Sequence, residues 1–159
     1  MQVFDASSMI YAWDNYPLQQ FPPLWDWMAA QIAQNNLVMS SVAYDEVANK
    51  APDCGVWLSN NNIELLAVNN AILQDSMRIK NLLGIVGDAY GGGVGENDLL
   101  IIATARVHRA ELVTDEKWQT TPPKKLENCK IPAVCAMGEV AVRWIKFVDY
   151  IKRSEAVFG

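Results

Sequence analysis

The sequence predicts an α/β fold, a three-layer sandwich in which helices cover both faces of a central, mainly parallel sheet. Two observations carry this expectation. Short apolar runs alternate with helix-length amphipathic stretches along all 159 residues. Such alternation is what repeated β-α-β units produce, and their right-handed crossovers place helices on both sides of a parallel sheet. No internal repeat or linker breaks the pattern, so residues 1–159 are expected to form a single domain.

Gln2-Val3-Phe4-Asp5 is a short apolar run ending on an acid, the form of a buried parallel strand. Ser7 or Ser8 can cap the helix that follows, which carries Met9, Ile10 and Trp13. Pro22 and Pro23 suit the first turn of a second helix, where a missing N–H costs nothing. Its apolar positions Leu24, Trp27, Met28 and Ile32 recur at helical spacing, and Asn35-Asn36 ends it. Leu37-Val38-Met39 reads as a second strand, with Ser40 or Ser41 capping a third helix. Ile63 to Val68 reads as extended, and a helix from about Ala71 to Ile85 follows. Gly87 to Gly95 contains five glycines and is expected to be a loop. Asn97 or Asp98 opens a strongly apolar helix through Val107. Glu111 to Thr114 is a strand ending on Asp115-Glu116, and Pro122 to Lys125 is a solvated loop. Cys129-Lys130-Ile131 is expected to be a last short strand. A terminal helix over Gly138 to Ile151 would place Val140, Trp144, Phe147, Val148 and Ile151 on one face.

Composition narrows the function. No run approaches the roughly 18 apolar residues of a membrane span, and no secretory signal is visible, which points to a cytoplasmic protein. Three cysteines (Cys54, Cys129, Cys135) and the single His108 do not supply a zinc-ligand pattern. The formal charge of −5 argues against strong nonspecific affinity for nucleic acid. Its distribution is uneven, however. Residues 1–105 hold three basic residues against eleven acids, whereas residues 106–159 hold ten against seven.

The acids fall where chemistry is expected. In open parallel sheets, ligands sit beyond the carboxyl ends of the strands. Asp5, Asp115 and Glu116 lie at strand ends, Asp98 at a helix start, and Glu46 about one and a half turns into the third helix. Carboxylates gathered at one edge raise one another's pKa, and a hard divalent cation such as Mg²⁺ or Mn²⁺ relieves that repulsion. Such an ion activates water and stabilises charge on a phosphodiester oxygen without needing histidine. Taken singly, each acid is more simply a cap or a turn residue; the shared edge is what favours a metal site. The glycines at 91–95 do not form a phosphate loop, because Glu96-Asn97-Asp98 follows rather than Lys-Ser or Lys-Thr.

Four segments resemble the motifs of PIN domains, and the resemblance spans nearly the whole chain. V-F-D-A-S-S-M-I (3–10) is similar to the first motif, S-S-V-A-Y-D-E-V (40–47) to the second, N-D-L-L-I-I-A-T-A (97–105) to the third and L-V-T-D-E (112–116) to the fourth. The resemblance implies that Asp5, Glu46 and Asp98 ligate Mg²⁺ or Mn²⁺. The fourth acid is commonly two residues after the threonine, which favours Glu116, with Asp115 close behind. Ser7 is expected to hydrogen-bond Asp5 or substrate. K-I-P-A-V-C (130–135) resembles a PIN-like subfamily of bacterial proteins. The family implies an endoribonuclease, the toxin of a toxin–antitoxin pair, with an antitoxin partner and a homodimeric state. Arg106, Arg109, Lys117, Lys124 and Lys125 are candidate contacts for RNA phosphates. The crowded aromatics Tyr11, Trp13, Tyr16, Trp25 and Trp27 are expected to pack between helices, any exposed ones forming a partner groove. Two other readings compete. A non-catalytic PIN-like module would bind RNA or protein without cutting, but all four acid positions are filled. Phosphoryl transfer through Asp5 would want a second Asp two residues on, where Ser7 stands.

Overall fold

A computed structural model describes residues 1–159. Five strands form one all-parallel sheet: β1 (Gln2–Phe4), β2 (Leu37–Ser40), β3 (Leu65–Leu66), β4 (Glu111–Val113) and β5 (Trp144–Ile145), in the order β3-β2-β1-β4-β5. The helices are α1 (Ala6–Asn15), α2 (Pro22–Ala33), α3 (Ser41–Lys50), α4 (Pro52–Asn60), α5 (Asn70–Leu82), α6 (Glu96–Val107), α7 (Ile131–Cys135) and α8 (Phe147–Ser154). The chain steps outward from β1 to β3, then returns across the sheet to β4 and β5. With right-handed crossovers, that reversal assigns the two sets of helices to opposite faces. The gap between β1 and β4 is therefore the topological switch point.

Local chemistry explains most boundaries. Pro22 and Pro23 occupy the first turn of α2, and Asn35 takes a left-handed conformation (φ 55°) just beyond its end. Ser40 Oγ accepts from Val42 N at 3.2 Å and Asn69 Oδ1 from Ile72 N at 2.9 Å, capping α3 and α5. Val3, Phe4, Val38, Met39, Leu112 and Val113 are fully buried, as central parallel strands covered on both faces must be. Phe4 packs edge-on against Tyr150 and Phe147, with centroids 5.0 and 6.2 Å away, and so fastens α8 to the sheet.

The C-terminal third departs from expectation. Cys129 and Lys130 are irregular, and Ile131 begins α7 with Pro132 in its first turn, so no strand forms there. The helix expected over Gly138–Ile151 is instead the edge strand β5 followed by α8. A turn precedes β5: Ala141 has φ 51°, and Val140 and Ala141 donate to Met137 O. The apparent helical periodicity came from buried side chains of two different elements. Helix α4 was not anticipated; Pro52 starts it after Ala51 leaves helical geometry. No helix is long and apolar enough to cross a membrane.

Candidate metal centre

Asp5 follows β1 directly and occupies the N-cap position of α1, with φ −71° and ψ 153°. An aspartate there ordinarily accepts from the helix's first N–H groups. Asp5 does not. Ser7 Oγ donates to its Oδ2 at 2.6 Å and Thr114 Oγ1 at 3.0 Å, while Oδ1 receives no hydrogen bond from the protein. Ser7 Oγ also accepts from Asp115 N at 2.9 Å, and Asp5 N donates to Val113 O at 2.8 Å. The ends of β1 and β4 are thereby latched together around one carboxylate that is 2% exposed.

Asp5, Ser7, Ile10, Glu46, Lys50 and Glu116 line a cavity of about 220 Å³ at this edge. Asp98 stands in the first turn of α6, where Oδ2 accepts from Gly95 N at 3.0 Å. It lies outside the cavity lining but within its field. Burial pushes the Asp5 carboxyl up to about 7, and the charges of Asp98 and Glu116 add to the rise. Burial likewise raises Asp98, with Glu116 and Glu46 contributing. Four segments distant in the chain thus carry mutually repelling carboxylates to the switch point.

A larger cavity, about 560 Å³, is elsewhere: Arg106, Arg109 and Arg143 line it beside residues at the amino-terminal end of β4. Size and chemistry disagree here. The smaller cavity is the better candidate because it gathers acids at the carboxyl edge.

Asp5, Glu46, Asp98 and Glu116 offer only hard oxygen donors, the set preferred by Mg²⁺ and Mn²⁺. With the side chains as they stand, no three of them share one ligating position. Glu46 instead pairs with Lys50, Nζ to Oε1 at 2.8 Å. Its side chain is 30% exposed and lines the cavity. The residues present fit a divalent cation in donor type, in the mutual repulsion of Asp5, Asp98 and Glu116, and in an Oδ1 of Asp5 that no protein group bonds.

The two adjacent acids after Thr114 take separate roles. Asp115 Oδ1 accepts from Ser8 Oγ at 2.6 Å and from Phe147 N at 3.0 Å, at the start of α8. Lys146, the N-cap residue of α8, has no acceptor to offer, so Asp115 caps that helix from a neighbouring strand end. Glu116 lines the cavity. Asp115→Ala is expected to cost about 2 kcal/mol and lower Tm by roughly 4–8 °C. Glu116→Gln, which removes a charge that repels Asp5 and Asp98, is expected to leave Tm unchanged or slightly raised; thermal melts of both variants check the assignment.

Ser7 is on Asp5, as described. Lys117 is exposed beside Glu116, and Lys124 and Lys125 lie in the following loop. Arg106 and Arg109 are not brought to the carboxylates. Arg106 is in the last turn of α6 and Arg109 lies just past it, with Arg106 bound to Asp75 Oδ1 at 2.9 Å and to Val140 O at 3.2 Å. Trp13, Trp25 and Trp57 stack edge-to-face between helices, and Trp13 also borders a 440 Å³ groove with Leu18.

Sequence reasoning passed over Lys50, Thr114 and Trp118. Lys50 was findable, standing four residues after Glu46, the spacing of a helical ion pair. Trp118 is 41% exposed and stacks on Trp144 at 5.6 Å, two residues after Glu116. Its pairing with a residue so distant in sequence gave no local signal.

Fold and site together define a PIN-like α/β domain with a carboxylate edge. The chain belongs to the family described as a domain of unknown function, DUF4411, whose model matches residues 2–158. It is similar in structure to a chain of the DNA-bound VapBC from Salmonella typhimurium, with 16% identity, TM-score 0.55, and coverage of 92% of this chain and 97% of that one. VapBC2 from Rickettsia felis, bound to a DNA fragment from its promoter, gives 16% identity, TM-score 0.53, and coverage of 91% and 97%. VapBC-1 from nontypeable Haemophilus influenzae gives 18%, 0.52, and coverage of 92% and 98%. No curated protein matches the chain.

Proposed function

We propose that the chain is a metal-dependent endoribonuclease hydrolysing RNA phosphodiester bonds, and the toxin of a VapBC-type toxin–antitoxin pair. The observation that carries this reading is the gathering of Asp5, Glu46 and Glu116 around one cavity at the switch point, with Asp98 close enough for its charge to act on Asp5, and with Asp5 buried and in no ion pair. Those four residues would hold Mg²⁺ or Mn²⁺. The chemistry such an ion supplies is activation of a water and neutralisation of charge on the phosphodiester.

The chain's own groups do the rest. Ser7 and Thr114 hold Oδ2 of Asp5 and leave Oδ1 without a protein partner, free to serve as a ligand atom. Asp5 must give up a proton when the ion binds, so apparent affinity rises with pH up to about 7. Lys117 offers charge to a neighbouring phosphate and Trp118 a stacking face to an unpaired base. The groove beside Trp13 and Leu18 suits an apolar segment of an antitoxin, and Leu73 and Met77 on α5 present exposed apolar surface for a homodimer contact. The K-I-P-A-V-C run, which forms the start and body of α7, marks the subfamily. Action in the cytoplasm agrees with three unpaired, buried cysteines.

One observation favours the competing reading, a PIN-like module that binds RNA or protein without cutting: no three acids share a ligating position as placed. Purified protein incubated with a mixed structured and single-stranded RNA pool decides between them. Cutting is expected with Mn²⁺ or Mg²⁺ and none in EDTA. Absence of cutting with either ion, by folded protein free of bound inhibitor, selects the binding module.

A further inference from the structure

We propose that Lys50 competes with the divalent ion for Glu46 and, once displaced, positions an RNA phosphate beside Asp5. The inference rests on the metal-dependent reading above and assigns a role to a residue which that reading leaves unused.

Lys50 is the last residue of α3, one turn beyond Glu46. Its Nζ meets Glu46 Oε1 at 2.8 Å. An exposed Glu–Lys pair at this spacing is ordinarily a weak helix-surface contact. Its surroundings set this one apart. Lys50 lines the same cavity as Asp5, Glu46 and Glu116, and it is the only basic residue that does. The charges of Asp98 and Glu116 reach it as well.

The acidic half of the chain has nothing else to offer there. Of its three basic residues, Arg78 is bound to Asp75 and to Glu139 O. Lys80 lies over the Tyr90 ring, 5.1 Å from its centroid. Lys130, from the basic half, reaches Asp98 only through its charge, whereas Lys50 bonds a carboxylate of the cavity directly, and it uses one acceptor where an ammonium has three donors.

The consequence is an exchange of cations. A divalent ion that takes Glu46 must expel the ammonium, because like charges a few ångströms apart repel. The expelled ammonium sits on a flexible stem, 60% exposed, at the mouth of the cavity. A phosphodiester approaching the ion brings the negative charge that the ammonium has just lost. Lys50 thus opposes the ion in the resting protein and assists substrate in the loaded one.

Calorimetric titration of Mn²⁺ into wild type, Lys50→Met and Lys50→Arg tests the first half. Loss of the charge is expected to tighten Mn²⁺ binding by roughly 3- to 10-fold, while Lys50→Arg stays near wild type. Cleavage of a short single-stranded RNA at saturating Mn²⁺ tests the second. KM is expected to rise roughly 10-fold in Lys50→Met and to recover in Lys50→Arg. If wild type binds Mn²⁺ and Lys50→Met binds it equally or more weakly, the competition is wrong and the metal site stands. An unchanged KM overturns the phosphate role. If neither protein binds Mn²⁺, the metal-dependent reading itself fails and this inference falls with it.

Discussion

Asn in place of Asp5 is expected to lower RNA cleavage by roughly 1,000-fold or more, about 4 kcal/mol of transition-state stabilisation, while making the metal-free protein more stable at pH 8. The two effects have one cause. The Asp5 carboxyl is raised from an ordinary value of 3.8 to about 7, so the fold disfavours its charged form. Below pH 4 both folded and unfolded chains carry the proton and there is no penalty. Between about pH 4 and 7 the unfolded chain ionises while the folded one keeps its proton, so stability falls as pH rises. Above pH 7 both are ionised and the full cost applies, on the order of 4 kcal/mol.

An amide at position 5 never ionises, and its oxygen still accepts from Ser7 and Thr114. Thermal melts in EDTA at pH 5 and pH 8 should therefore show a parent that weakens with pH and a variant that does so far less. Mn²⁺ should in turn stabilise the parent more at pH 8 than at pH 5, and the variant little at either. A variant that melts below the parent at pH 8 in EDTA would show that Asp5 is a structural residue whose charge the fold needs. Removing a group that the fold tolerates poorly and the chemistry requires is a stability–activity exchange.

How much of this could be read from the sequence depends on the range of the interaction involved. Val3-Phe4, Val38-Met39 and Leu112-Val113 were legible as strands because burial on both faces leaves uninterrupted apolar runs. The acids that end or follow them were legible as one edge because a parallel sheet brings strand ends together whatever the loops do. The choice between Asp115 and Glu116 was not. Neighbouring residues leaving a strand point to opposite sides, and which side faced the cavity was settled by Ser8 and Phe147 N, partners 107 and 32 residues away in sequence. The helix expected over Gly138–Ile151 failed for a related reason. Val140, Trp144, Phe147 and Ile151 satisfy a helical period, but the exposed edge of β4 offered Leu112 N and Thr114 N to any chain passing by. Arg143 O and Ile145 O accepted them, each at 2.9 Å. Sheet pairing outweighed local periodicity.

The glycine-rich segment shows the same limit and yields the other large effect: Gly93→Ala is expected to cost about 3 kcal/mol and lower Tm by roughly 6–12 °C. Composition marked residues 87–95 as a loop but gave no reason for glycine at any one position. The reason lies in the segment before α7. A Cβ on Gly93 would stand 2.1 Å from Cys129 O, 2.5 Å from Asn128 C and 2.7 Å from Cys129 C. All three are backbone atoms, and they cannot turn aside as a flexible side chain would. Nor can the opposing strand of chain retreat freely. Gln119 holds it from the other side, bonding Asn128 O at 3.0 Å and Lys130 N at 2.8 Å. The loop is itself pinned, Gly92 N to Asn128 Oδ1 at 2.8 Å and Val94 N to Cys129 O at 2.9 Å. Gly92→Ala supplies the control, because a Cβ there meets nothing nearer than 3.6 Å. Its Tm should stay close to wild type, and a Gly93→Ala protein that melted with it would refute the close-approach account. The effect should also reach the site. Val94 is buried and leads directly to Gly95, whose N–H the Asp98 carboxylate accepts at 3.0 Å. Forcing Gly93 away from Cys129 shifts that anchor, so Mn²⁺ affinity should fall in Gly93→Ala and hold in Gly92→Ala. The loop then acts as the support that sets the Asp98 carboxylate relative to Glu116.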